Sequence, residues 1–205
     1  MTRLLFTLLI ILSTKSFGQS ATDIKKKAES FQDSLTKKNI DTLLDYTLEC
    51  VGYYADIDTC NFFDTHYIFW RQNGETYLQR IDDCNTHKAV LLETANPLTF
   101  YLAQKKKIDH EIIYPPTYVQ LQQDGHGILI QQFIDHTCYH EMTFLINTKK
   151  RFKNVSVYDL TFEKFDNGRK NIYYNYNQQT QLKKIVEQIT ELVKQLEEGK
   201  KFEVQ

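Results

Sequence analysis

Phe69-Trp70-Arg71-Gln72-Asn73-Gly74-Glu75-Thr76-Tyr77-Leu78 is the stretch from which the fold of this chain is read. Asn-Gly best tolerates the positive φ that a two-residue hairpin turn needs at both central positions. With Asn73-Gly74 as the turn, Phe69 lies opposite Leu78 and Trp70 opposite Tyr77. Apolar then meets apolar, as cross-strand packing requires. From about Thr65 the apolar spacing is two, the period of a strand. Two more Asx-Gly pairs follow, Asp124-Gly125 and Asn167-Gly168. Read the same way, the second pairs Val119 with Ile130 and Leu121 with Ile128, and the third pairs Phe162 with Tyr173.

Outward from these hairpins, residues 88–93, 141–147 and 151–165 read as further strands. Asn96-Pro97 supplies a cap and a first-turn proline for a short helix through Leu102. At the N-terminal side, Ile24, Ala28, Phe31 and Leu35 recur at helical spacing, with Lys25, Lys26 and Lys27 on the solvated side. Asn39 can close that helix, and Asp41 can cap a second one through Leu43, Leu44 and Leu48. At the C-terminal side, Leu182, Ile185, Val186, Ile189, Leu192, Val193 and Leu196 mark an amphipathic helix that Gly199 ends. The expected fold is a single α+β domain over residues 19–205. It has an antiparallel β-meander of about six to eight strands, with an N-terminal helical hairpin and a C-terminal helix packed on one face. Over residues 31–48 the helical pair entering a curved sheet is loosely similar to the nuclear-transport-factor-like cone fold, from which the long C-terminal helix departs.

The chain of 205 residues opens with a short basic start, Met1-Thr2-Arg3, a nine-residue apolar run at 4–12, and Ser16 and Gly18 at the −3 and −1 positions of a cleavage site. This is the pattern of a secretory signal peptide spanning 1–18, too short to cross a bilayer. The expected location is secreted or periplasmic, with no membrane span once the leader is cleaved. Without the leader 23 basic residues face 26 acidic ones, which provides no footprint for nucleic acid. Only 7 glycines and 3 prolines, with 13% aromatics, exclude collagen-like and disordered chains. In an oxidising compartment Cys50, Cys60, Cys84 and Cys138 suggest two disulfides. The first hairpin's register brings Cys60 near Cys84, leaving Cys50 to Cys138; the competing pattern joins Cys50 to Cys60 and Cys84 to Cys138.

Glycine spacing excludes a P-loop, a dinucleotide fingerprint and a nucleophile elbow. His110-Glu111 and His140-Glu141 each open a zinc-protease signature, but Tyr114 and Phe144 occupy the place of the second His. Asp56-Ile57-Asp58 starts like a calcium loop, yet Cys60 and Asn61 break the ligand pattern, leaving a solvated acidic loop. The densest reactive cluster is 135–141. If it is extended, His136, Cys138 and His140 share one face, and His126 or His110 from a neighbouring strand could complete a zinc site. The second signal is aromatic: Trp70, Tyr77, Tyr174 and Tyr176 place rings on the sheet, where an uncovered face would bind a ligand or a protein. The expected function is that of a non-catalytic exported binding protein using the aromatic-bearing sheet, with no cofactor. Its rival is a metal-dependent hydrolase centred on His136 and His140.

Overall fold

The computed structural model describes residues 19–52 and 65–204; the expected leader at 1–18, Asp56, Asp58 and Cys60 lie outside them. The main sheet is antiparallel and consists of β1 (Thr42–Cys50), β2 (His66–Gln72), β3 (Glu75–Ile81), β4 (Val90–Leu92), β7 (Cys138–Ile146) and β8 (Lys149–Ser156). Their order is β4-β3-β2-β1-β7-β8, while β5 (Thr117–Leu121) and β6 (Gly127–Gln131) pair only with each other. The helices are α1 (Gln19–Lys37), α2 (Pro97–His110), α3 (Val157–Thr161), α4 (Tyr174–Gln179) and α5 (Gln181–Glu198). The α+β class stands, with helices at both ends of the chain.

Residues 42–50 are a strand, not the second arm of a helical hairpin. β1 hydrogen-bonds to β2 along one side and to β7 along the other. Leu43 is buried on one face of the sheet, Leu44 and Tyr46 on the other. Adjacent leucines that read as a helical stripe are therefore the signature of a central strand buried on both faces. The likeness to the cone fold, which rested on these residues as a helix, goes with it. Asn39 does close α1, in the left-handed conformation at φ 60°.

The terminal helices cover opposite faces rather than one. Ile24, Ala28 and Leu35 of α1 pack with Leu43, Ile68, Trp70 and Ile81. On the other face α5 sets Leu182, Ile185, Val186, Ile189 and Val193 against a core with Tyr67, Phe69, Leu78 and Phe144, joined by Leu98, Tyr101 and Ile108 of α2. Alternation along each strand sends successive side chains to different layers. Both faces at the centre of the sheet are thereby closed.

The three Asx-Gly turns are of two kinds. Asn73 and Gly74 both have positive φ, 53° and 86°, and β2 and β3 pair in the register read from the sequence. In the second hairpin Gly125 has positive φ but Asp124 does not, and Gln122 N–H donates to His126 O across a three-residue loop. That shifts the register by one: Val119 pairs with Leu129 and Tyr118 with Ile130. Asn167-Gly168 turns in the same way, with Phe165 N–H donating to Arg169 O. Pairing stops after one bridge, so Phe162 ends α3 and Tyr173 begins α4. A type I′ two-residue turn needs both central residues left-handed; with only the second, the glycine, left-handed, the chain closes a three-residue loop instead. Asn147 and Thr148, at φ 48° and 67°, form an unforeseen two-residue turn between β7 and β8. The strand expected through 165 ends at Ser156, whose hydroxyl accepts from Asp159 N–H and caps α3. The Asn96 cap is as expected, with a capping box to Thr99, but α2 continues to His110.

Ile189 is fully buried at the centre of the α5 stripe. Ile189→Asp should cost about 3–5 kcal/mol, the scale of an uncompensated buried charge. Chemical denaturation of the two proteins measures it; equal midpoints would mean that α5 is not docked as described.

Candidate functional site

The residues expected to bind a metal are not brought together. Cys50 and Cys138 stand directly opposite each other on β1 and β7 and are joined by a disulfide. Cys138 therefore has no thiolate to offer. Cys84 is disulfide-bonded as well; its expected partner, Cys60, lies outside the described residues. His140 points into the core, where Tyr46 Oη lies 2.9 Å from its Nδ1 and the two rings stack. Burial pushes its pKa down to about 4. His136 precedes β7 and is exposed, over Gly52. Gly52 has φ 82°, and a Cβ there would come within 2.1 Å of the imidazole Nδ1. His126 sits in the β5–β6 loop. Among the described residues no three His, Cys, Asp or Glu side chains are grouped to hold a metal ion.

The aromatic set is also divided. Trp70 is buried beneath α1, edge-on to Phe31 and stacked on Tyr77. Tyr174 and Tyr176 belong to α4, and Tyr176 packs on Tyr114. What held α4 out of the sheet is a pair of buried asparagines. Asn177 accepts from Tyr114 N–H and donates to Tyr114 O, replacing a strand partner with a side chain. Asn171 does the same work at Thr117 and Phe162. Neither residue stands out in the sequence, since an amide in a polar stretch signals a turn as readily as a buried hub.

Two polar clusters were not foreseen. Asp82, almost fully buried, accepts from the backbone N–H groups of Cys84 and Asn85 through Oδ1. Its Oδ2 faces His87 Nε2 at 2.8 Å and Arg80 Nε at 3.0 Å. Burial pushes the Asp82 carboxyl up, but the Asn85 amide, His87 and Arg80 outweigh it and hold it below the usual range. Arg80 and Tyr67 both donate to Glu197 near the end of α5. The second ring nitrogen of His87 faces the Phe202 carbonyl at 3.3 Å. With both nitrogens engaged, His87 ties Asp82 to the segment that carries Phe202. In the other cluster His66 Nδ1 lies 2.9 Å from Asp45, which also accepts from Gln32. Nearby, burial and Glu49 raise the pKa of Glu141.

One concavity adjoins the edge strand β4 and another lies under α1. A groove of about 1120 Å³ runs between β4, the start of α2 and α5, with Val90, Leu92, Phe100, Leu192 and Leu196 among its walls. Lys184, Glu187, Glu191 and Lys201 supply charges of both signs to it. A second, of about 710 Å³, lies between α1 and the end of β3, against Phe31, Gln79, Ile81 and Thr86. Leu91 of β4 is 56% exposed. The outer side of this edge is already used at one point, where Lys88 N–H donates to Glu203 O and His87 bridges Val204.

Protein-family models, curated proteins and solved structures offer no match to this chain.

The sequence signal for the edge site is the isolated, uncharged Val90-Leu91-Leu92, too short to weigh against longer runs. What the reading of 135–141 lacked was where the strand begins: β7 starts at Cys138, so His136 and His140 do not share its face.

Non-reducing peptide mapping should yield a fragment joining Cys50 to Cys138. Replacing both by Ala should lower stability by about 2–4 kcal/mol. Recovery of Cys138 as a free thiol would contradict the bridge.

Burial of His140 also has a pH signature. The unfolded chain takes up the proton near pH 6.5, the folded chain only near 4. Stability from the neutral imidazole is therefore full above about 6.5 and is lost as pH falls towards 4, by on the order of 3 kcal/mol. Asp159, pushed up to about 6 by burial, works in the opposite direction over the same window. The informative measurement is thus the difference in acid sensitivity between the parent and His140→Gln. As pH falls from 7 to 4.5 the variant should lose less stability than the parent, or gain more; identical slopes would contradict the assignment.

Proposed function

We propose that this chain is an exported, non-catalytic binding protein that takes up an extended segment of another polypeptide along the free edge of β4. One observation carries the reading: an edge strand of the main sheet, β4, lines with all three of its residues a groove that continues onto α2 and α5. A strand added to an edge is held by main-chain hydrogen bonds, while alternate side chains point to one face, here the face with the groove. The chain's own Glu203 and Val204 occupy the neighbouring part of the edge in this way. The mixed charges of Lys184, Glu187, Glu191 and Lys201 suit a rim, and the apolar walls suit anchor side chains. Export rests on the leader at 1–18, in keeping with the Cys50–Cys138 disulfide. Among the described residues no helix is long and apolar enough to cross a membrane. The binding surface moves from the face of the sheet to its edge because α1 and α5 occupy the faces.

A displayed library of random peptides is the probe. Selected peptides should bind with Kd about 1 μM or tighter and shift the amide signals of Val90, Leu91 and Leu92. Methylating every second backbone nitrogen of the peptide should abolish binding in one register and be tolerated in the other, because only alternate N–H groups face the protein edge. Binders insensitive to methylation in both registers, or no binders at all, would overturn the reading.

A further inference from the structure

The β5–β6 hairpin stands apart from the rest of the surface in charge, in exposed apolar area and in unpaired backbone. From Ile112 to Ile134 the only formally charged residue is Asp124, whereas one residue in four is charged over the whole chain. A stretch of that length would ordinarily carry about six charges. The hairpin is joined to the body near its base. Thr117 accepts from Ile172 N–H and donates its own N–H to Asn171, and Tyr118 packs edge-on to Phe165 beneath the Arg169 guanidinium.

Beyond that base the pairing register puts Val119 and Leu129 on one face, with Leu121 alongside, all exposed. Gln132 N–H donates to Pro116 O, so the register continues and brings Phe133, 72% exposed, to the same face. Leu121, near the loop, is 71% exposed. The loop itself, Gln122 to His126, is polar, which does not suit insertion of the tip into lipid.

Both edges of this two-stranded ribbon carry unpaired backbone groups. Gln122 pairs with His126 and Gln132 with Pro116, so alternation turns the N–H and C=O groups of Val119 and Leu121 outward on one side. The same alternation turns those of Gly127, Leu129 and Gln131 outward on the other. Among the described residues no hydrogen bond reaches the outward groups of β6, whereas the β5 edge is partly occupied at Thr117 by Asn171 and Ile172. Nor does β6 carry a lysine, a proline or an inward charge, the devices by which monomeric proteins blunt an edge. A hairpin of two strands is marginal in water until something packs on it.

We propose that the β6 edge is the surface through which a second copy of this chain docks, forming a symmetric dimer with a continuous β5-β6-β6-β5 sheet. The charge pattern selects this occupant. Across a twofold axis the strand meets its own copy, so an edge charged with one sign repels its copy and an uncharged one does not. A different, charged partner would be matched by charge on the arm, and the arm offers none along the strands. Centred on Leu129, antiparallel pairing sets Gly127 of each copy opposite Gln131 of the other. The exposed faces then join, with Val119, Leu121, Leu129 and Phe133 of both copies in one apolar layer. This contact is separate from the β4 edge, so either can fail without the other.

The test is the mass of the oxidised protein by sedimentation equilibrium up to about 100 μM, a range that populates a dimer of micromolar Kd. The parent should sediment as a dimer. Leu129→Lys and Leu129→Glu should each weaken association at least tenfold, because like charges then face each other across the axis. An equimolar mixture of the two should restore the dimer. Hydrogen exchange on the parent needs no variant: protection of the Gly127, Leu129 and Gln131 amides should rise with protein concentration. A monomeric parent would overturn the proposal. So would a dimer indifferent to both charges, a mixture that stays monomeric, or exchange at β6 that is independent of concentration.

Discussion

Strand β1 is hydrogen-bonded along both its sides, to β2 and to β7, and through it the two halves of the main sheet become one. β2, β3 and β4 follow it closely in the chain, whereas β7 and β8 return from nearly a hundred residues later. The disulfide between Cys50 and Cys138 fastens this junction at its end. Because β1 lies at the middle, neither of its faces can meet water. Leu43 must find α1, and Leu44 and Tyr46 must find the layer built by α2 and α5. The three-layer arrangement follows from that requirement.

Closing both faces moves the accessible chemistry to the edges. At β4 the sheet ends with a strand of three residues, and the cluster around Asp82 determines how much of that edge is free. Asp82 anchors His87, while Arg80 and Tyr67 hold Glu197, and Phe202 packs against both Tyr67 and His87. These contacts lay the C-terminal tail beside His87 and Lys88 and leave Val90, Leu91 and Leu92 uncovered. Desolvation offsets much of the attraction within a buried ion network of this kind, so its net contribution to stability is small. What it sets here is the path of the tail.

The local rules read from the sequence succeeded where local geometry alone decides. Asn73-Gly74 turned the chain as expected, Asn39 ended α1, Asn96-Pro97 opened α2, and the stripe from Leu182 to Leu196 became α5. They failed where two local solutions fit the same residues. Asp124-Gly125 and Asn167-Gly168 can form a two-residue or a three-residue turn, and a single φ, at Asp124 or Asn167, separates the two. The candidate site failed for a related reason. His136, Cys138 and His140 share a face only if the strand begins before His136, and whether Cys138 is a ligand depends on a partner 88 residues away.

The sequence by itself determined the elements whose cause lies within a few residues: the caps, the α5 stripe and the first hairpin with its register. It also contained the uncharged run from Ile112 to Ile134, although composition alone did not reveal that this run stands out from the body. Only the tertiary structure decided that Leu43-Leu44 belongs to a central strand, that the terminal helices take opposite faces, and that Asn171 and Asn177 fasten α4 away from the sheet. Helical and extended backbones at residues 42–50 are close in local free energy. Hydrogen bonds to β2 and β7, with burial on two sides, settle the choice, and those partners are distant in the chain.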